Sequence, residues 1–217
     1  MKRRMSRLID IGLRQLSNLL NKMGELAEKT VALSFDVSTK GIDSSDRVRV
    51  QSETLISSSE EIEEKATEVI ARYQPVASDL RTIRAYMKIA YDLARCGRYA
   101  WDITFIYKRF NISFNECYLP SIPLKEMMKE VQNILHMSVQ AVSKNDLELA
   151  KKIGENENSI DQMYIESLNK LVEQPPIKTK CVMANLLFVR HLERISDHAA
   201  YIGESIIYLI TGERANL

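Results

Sequence analysis

His191-Leu192-Glu193-Arg194-Ile195-Ser196-Asp197-His198-Ala199 sets two acids four residues apart inside a run whose apolar residues recur at helical spacing. Residues four apart on an α-helix share one face. Glu193 and Asp197 are therefore neighbours, and like charges so placed repel by roughly 0.2–0.5 kcal/mol in an isolated helix. The arrangement gains a purpose when a cation sits between the carboxylates. Upstream, Glu157 and Asp161 repeat the same spacing in the preceding helical run. Four carboxylates on two neighbouring helices make a candidate site for a hard metal ion, because such ions prefer oxygen donors. The plain alternative is a set of solvated surface charges.

Outward from this stretch, helical periodicity extends along the chain. Residues 6–33 carry Leu8, Ile11, Leu16, Leu19, Leu20, Met23 and Leu26 at three- and four-residue steps. Residues 34–45 are rich in turn formers and read as a loop. A helix is expected from about Asp46 to Tyr73, stopped by Pro75. The next spans about Val76 to Phe110, and residues 111–123, with Pro120 and Pro123, read as a linker. A helix over about Leu124–Val142 follows. Asn145 reads as an N-cap with Glu148 in capping-box position, opening a helix to about Val172. Pro175-Pro176 stops it, and a last helix covers about Ile177–Leu209 with Gly212 beyond its end. No segment alternates with period two, so no sheet is expected.

The count is three helices, a linker and three more. Leu93–Ala100 aligns with Leu192–Ala199, and Ser59–Glu63 with Glu157–Asp161, in the same order and at nearly the same offset. That indicates an internal duplication. The expected fold is all-α: two pseudo-repeated three-helix bundles, residues 1–110 and 111–217. Gly97 and Ser196 hold matching positions and suit close helix approach.

Composition narrows the function. Thirty basic and 29 acidic residues give a formal charge of +1, without the basic excess of a nucleic-acid binder. Cys96, Cys117 and Cys181 form no Cys-x-x-Cys pair, so free buried thiols in a reducing cytosol are expected. No apolar run reaches the ~18 residues of a membrane span. Lys2, Arg3, Arg4 and Arg7 open the chain, but Asp10, Arg14 and Gln15 break the apolar stretch a signal peptide would need. A cytoplasmic protein, peripheral to a membrane at most, is the expectation.

Leu192–Ala199 and Glu157–Asp161 resemble the paired acidic motifs of the PhoU family of phosphate-signalling regulators, whose second motif reads Leu-Glu-Arg-Ile-Gly-Asp-His/Tyr-Ala. Only Ser196 departs from it. The resemblance covers about residues 8–210 and implies two repeated three-helix bundles, each with a metal cluster. It also implies a cytoplasmic homodimer beside a phosphate ABC transporter, damping the phosphate-starvation response through a sensor kinase, without enzymatic activity. Carried onto this chain, it makes Glu157, Asp161, Glu193 and Asp197 the ligands of a divalent or trivalent ion: iron, Mg, Mn or Zn. In the first half, Ala94 and Arg98 replace the second motif's acids and Ser59 replaces one of the first motif's, so that metal motif is degraded. There Arg98 is expected to pair with Glu63 or Glu60 as a built-in cation, or with Asp102 one turn on.

Two rivals stand beside the regulator. A carboxylate-bridged metal-dependent enzyme in a helical bundle would use Glu-x-x-His, but His136, His191 and His198 follow Asn133, Phe188 and Ile195 at that spacing. A purely structural dimerisation module would need none of the four acids. His198, beside Asp197, points about 100° away around the helix and is read as packing or support for the ligands. No Gly-rich phosphate loop and no nucleophile–base pair is visible.

Overall fold

A computed structural model describes residues 8–173 and 178–217. The described residues form seven helices and no strand: α1 Leu8–Lys40, α2 Ser45–Tyr73, α3 Ser78–Phe110, α4 Phe114–Cys117, α5 Leu124–Lys144, α6 Leu147–Val172 and α7 Thr179–Thr211. The first three long helices pack on one another, as do the last three. The chain is all-α, two three-helix bundles joined by the segment that carries α4. The initial Lys2–Arg7 run, Pro175-Pro176 and the expected start at Ile177 lie outside the described residues.

Three local expectations are corrected. Residues 34–40 are not loop but the end of α1. Ser34 and Thr39 donate their hydroxyls to Val31 O and Phe35 O at 2.7 Å, and Phe35 is buried. Turn-forming side chains satisfied this way do not stop a helix whose apolar face continues. Asn145 is not the N-cap of α6. It takes the left-handed conformation that ends α5 (φ 50°), and Asp146 caps α6 instead, its carboxylate accepting from Leu149 N–H at 3.0 Å. Thirdly, Cys117 and Cys181 are not free thiols but a disulfide, with Cα atoms 4.9 Å apart, joining α4 to the start of α7. Phe114 folds beneath it onto Tyr107 and Phe188, and only Cys96 is a free, buried thiol.

Elsewhere the helix stops are local. Gln74 (φ 46°) closes α2 before Pro75, donating N–H to Ile70 O at 3.0 Å. Gly212 (φ 82°) closes α7, its N–H donating to Tyr208 O at 2.9 Å.

The central seam is α3 against α7, running antiparallel. Arg81 donates to Leu209 O, Lys88 meets Glu204, Asp92 meets His198, and Tyr99 stacks on His191. Midway, the Cys96 thiol lies against Ile195 O at 3.8 Å. In the duplicated alignment Cys96 and Ile195 are equivalent positions, so the helices cross where the two bundles face each other head-on. Leu93, Cys96, Ala100, Leu192, Ile195 and Ala199 are buried along this seam. Fully burying one Leu or Ile side chain contributes about 1.5–3 kcal/mol. Gly97 lets Leu55 of α2 pack where a β-carbon would stand, the close approach expected there.

Candidate metal centre

Asp161 and Glu157 lie one turn apart on α6, and Asp197 faces them from α7. Each offers one carboxylate oxygen, and the three oxygens lie within 4.8 Å of one another. Ligands on opposite sides of a Ca-sized ion stand about 4.6–5.2 Å apart. The spacing therefore suits one cation held between the helices, and the all-oxygen donor set suits a hard one. No other group of three Asp, Glu, His or Cys side chains converges in this way among the described residues.

Glu193 is not the fourth member of that convergence. It sits one turn before Asp197, buried at 8% exposure, with Oε1 accepting from Arg190 Nη1 at 2.5 Å and Oε2 without a partner. Its charge still belongs to the cluster. Burial, then the Asp197 charge, push its carboxyl up to about 7 against the guanidiniums of Arg190 and Arg194. Glu157 is also pushed to about 7, by burial and then by Asp161, Asp197 and Glu193. Asp197 is raised as well, chiefly by burial. Groups held this way are poised for a cation that would favour their charged forms.

Two cations are already near. Arg190 and Arg194 stand three residues before Glu193 and Asp197, and Arg194 Nη1 donates to Asp197 Oδ2 at 2.6 Å. The helix thus carries its own partial neutralisation. Arg194, next to Glu193, reads in the sequence as a partner for a neighbouring acid, and that acid is Asp197; Arg190 escaped, although its three-residue spacing from Glu193 was a signal.

Behind the acids, His198 turns away from Asp197 into the α3–α7 seam, as its position on the helix predicts. Its Nδ1 lies 2.9 Å from Asp92 Oδ1, and both side chains are buried. Burial raises the Asp92 carboxyl, and the bond to His198 offsets part of that rise. Tyr91, Tyr99 and Tyr201 surround the imidazole. Burial pushes the Tyr99 hydroxyl up, but hydrogen bonds from Arg194 and Arg95 bring it below its ordinary value. The chain from Asp92 through His198 thus buttresses the helix turn that carries Asp197. Asp92 escaped the sequence reading. Its signal was a charge between Ile89, Ala90 and Leu93, on the buried face of a helix.

Among the described residues the first half has no matching centre. Ala94 is buried, and Glu60 and Glu63 are exposed. Arg98 does not pair with Glu60 or Glu63. It contacts Asp102 at 3.5 Å and lies over the Trp101 ring at 4.6 Å. Cation–π stacking and a one-turn ion pair hold it on its own helix.

No described helix is long and apolar enough to cross a membrane. Comparisons with known proteins agree with the fold. A family model described as the PhoU domain matches twice, over residues 20–105 and 124–206. A phosphate-specific transport system accessory protein PhoU homologue of Clostridium acetobutylicum is 30% identical over 97% of this chain and 98% of its own length. A homologue of the same name from Pseudomonas putida is 31% identical over 92% of this chain and 79% of its own length. The crystal structure of PhoU from Pseudomonas aeruginosa superposes with a TM-score of 0.85 at 28% identity, covering 94% of this chain and 99% of that one. A phosphate transport system regulatory protein PhoU structure from Streptococcus pneumoniae, at 24% identity and a TM-score of 0.75, shares the fold. With both halves matched by the family model, the chain belongs to the PhoU family.

Proposed function

We propose that this protein regulates phosphate uptake as an accessory protein of a phosphate-specific transport system, with a metal-stabilised α6–α7 face in its second repeat. The observation that carries the reading is the double PhoU-domain match over residues 20–105 and 124–206. Relatives matched over 98% and 79% of their own length carry accessory-protein names, and this supports a regulator rather than an enzyme. The repeats are residues 1–110 and 111–217.

Glu157, Asp161 and Asp197 would hold the ion, with Glu193 supplying charge beside them. Bound there, the ion neutralises the acids and ties α6 to α7. The donor set favours iron, Mn or Mg over Zn. The partners are subunits of a phosphate ABC transporter and a sensor kinase, met on the cytoplasmic side, with the protein acting as a homodimer. The metal-dependent enzyme loses ground on one observation: His198, the histidine beside Asp197, is committed to Asp92.

The test is deletion in the native host. It should derepress phosphate-uptake genes or make high phosphate toxic, and tagged protein should co-purify with the transporter's ATPase subunit. Normal expression and growth at both phosphate levels would leave only the structural dimerisation module.

A further inference from the structure

A cavity of about 470 Å³ lies where α3, the end of α7 and the chain beyond α7 meet. Arg84, Lys88, Arg214, Glu204, Ser205 and Tyr208 line it. Three cations therefore face one acid. That acid is already occupied: Glu204 meets Lys88 at 3.6 Å and accepts from Leu217 N–H at 3.3 Å. Arg84 and Arg214 have no ion pair and no hydrogen-bonded acid among the described residues.

This contrasts with five other arginines of the described residues. Arg49, Arg72 and Arg98 each meet an acid one turn away, and Arg190 and Arg194 meet Glu193 and Asp197. Arg84 and Lys88 are four apart on α3, so the helix sets like charges side by side, with only Glu204 opposite. In a chain whose total charge is +1, the side chains lining this cavity concentrate a surplus of two.

Guanidinium forks fit the oxygens of phosphate and carboxylate groups in pairs. A surplus of two positive charges matches a dianion better than a single carboxylate. The volume lies within the range of small-molecule sites, about 300–1,000 Å³, and far exceeds what a bare oxyanion fills. Tyr208 adds a ring and a hydroxyl at the wall. We propose that this cavity binds a phosphorylated small molecule of nucleotide size, with Arg84 and Arg214 on the phosphate oxygens and Tyr208 against the organic body. The site is separate from the carboxylate centre and does not depend on a metal there.

Isothermal titration of the full chain at physiological salt tests it, with ADP, inorganic phosphate and citrate as probes. ADP should bind, and Arg84→Gln and Arg214→Gln should each weaken it roughly tenfold or more. Arg72→Gln, on α2, and Asp197→Asn should leave ADP binding unchanged. Circular dichroism of each variant confirms that the helices are intact. Absence of ADP binding overturns the proposal, as does equal weakening by Arg72→Gln. Inorganic phosphate or citrate binding as tightly as ADP overturns the nucleotide-sized ligand. Loss of metal by Asp197→Asn with ADP binding retained would separate this site from the metal centre.

Discussion

Arg194 donates to Asp197 across a single helical step, 2.6 Å between Nη1 and Oδ2. The carboxylate that faces Glu157 and Asp161 is thus shared between a guanidinium and the place where a metal would sit. Arg194→Gln should therefore tighten metal binding. A partly exposed ion pair of this kind is worth about 0.2–1 kcal/mol, so a gain of up to about fivefold is expected. Metal titration followed by fluorescence or calorimetry reads it; unchanged or weaker binding would show that Arg194 does not compete.

The ligands themselves come next. Asp197→Asn combined with Glu193→Gln should bring bound metal to near background, measured by elemental analysis of purified protein. Glu193→Gln alone should do less than Asp197→Asn, because Glu193 lies outside the three converging oxygens. Unchanged metal stoichiometry in the double variant sinks the site.

Acidity should act on the metal-free protein in a defined direction. Glu157 and Glu193 are held up to about 7, from an ordinary 4.5. Between those values the native state binds more protons than the unfolded chain, so stability falls as pH rises from about 4.5 to about 7 and levels off above. Glu157→Gln should remove part of that fall, raising metal-free stability at pH 8 and leaving it unchanged at pH 4. Metal affinity should move the other way, tightening over the same window, because binding needs the carboxylates deprotonated. Urea unfolding in chelator at several pH values checks the first; a rise in stability across the window contradicts it.

The Asp92–His198 pair predicts a stability penalty. His198→Leu leaves Asp92 buried without its hydrogen-bond partner, and an orphaned buried polar group costs about 1–3 kcal/mol. Adding Asp92→Asn should recover part of it. A double-mutant cycle by chemical unfolding measures the coupling, and strictly additive losses would show that the two side chains act independently.

Reduction should loosen the joint between the linker and α7. Cys117 and Cys181 close a loop with a sequence separation of 64, for which chain entropy gives about 4 kcal/mol, with engineered and natural cases often lower. Under oxidising conditions Cys181→Ser should lose about 2–4 kcal/mol; with reductant present it should match the wild type. Equal stability under both conditions, with thiol labelling of all three cysteines, would mean that the bond does not form in solution.

The long helices were legible because each carries a continuous apolar stripe, and α2, α3, α5 and α7 end at or just before Pro75, Asn111, Asn145 and Gly212. Two of the features that escaped were decided by contacts distant in sequence, whereas the exchange of Asn145 for Asp146 as the cap of α6 was local. Phe35 carries α1 past Ser34 because it finds a buried place, which no local propensity reveals. The Cys117–Cys181 bond depends on α4 folding onto α7. At the acidic centre, the spacing of Glu157, Asp161 and Asp197 was visible as soon as two helices were assumed adjacent. Glu193 shared that spacing but turned toward Arg190. Arg98 followed its neighbours Trp101 and Asp102 rather than the acids across the groove.

The antiparallel crossing at Cys96 and Ile195 has a consequence for how the two repeats differ. Two identical copies meeting about a twofold axis must place the same pair of residues at both ends of their contact. Here one end holds Asp92 against His198, and the other holds His191 against Tyr99. Covalent linkage of the repeats is what permits this inequality, since each end can then change alone. The polar end lies directly behind Asp197, whereas the end facing Arg98 is aromatic. Tandem fusion thus allows one repeat to specialise in chemistry while the other serves as its frame.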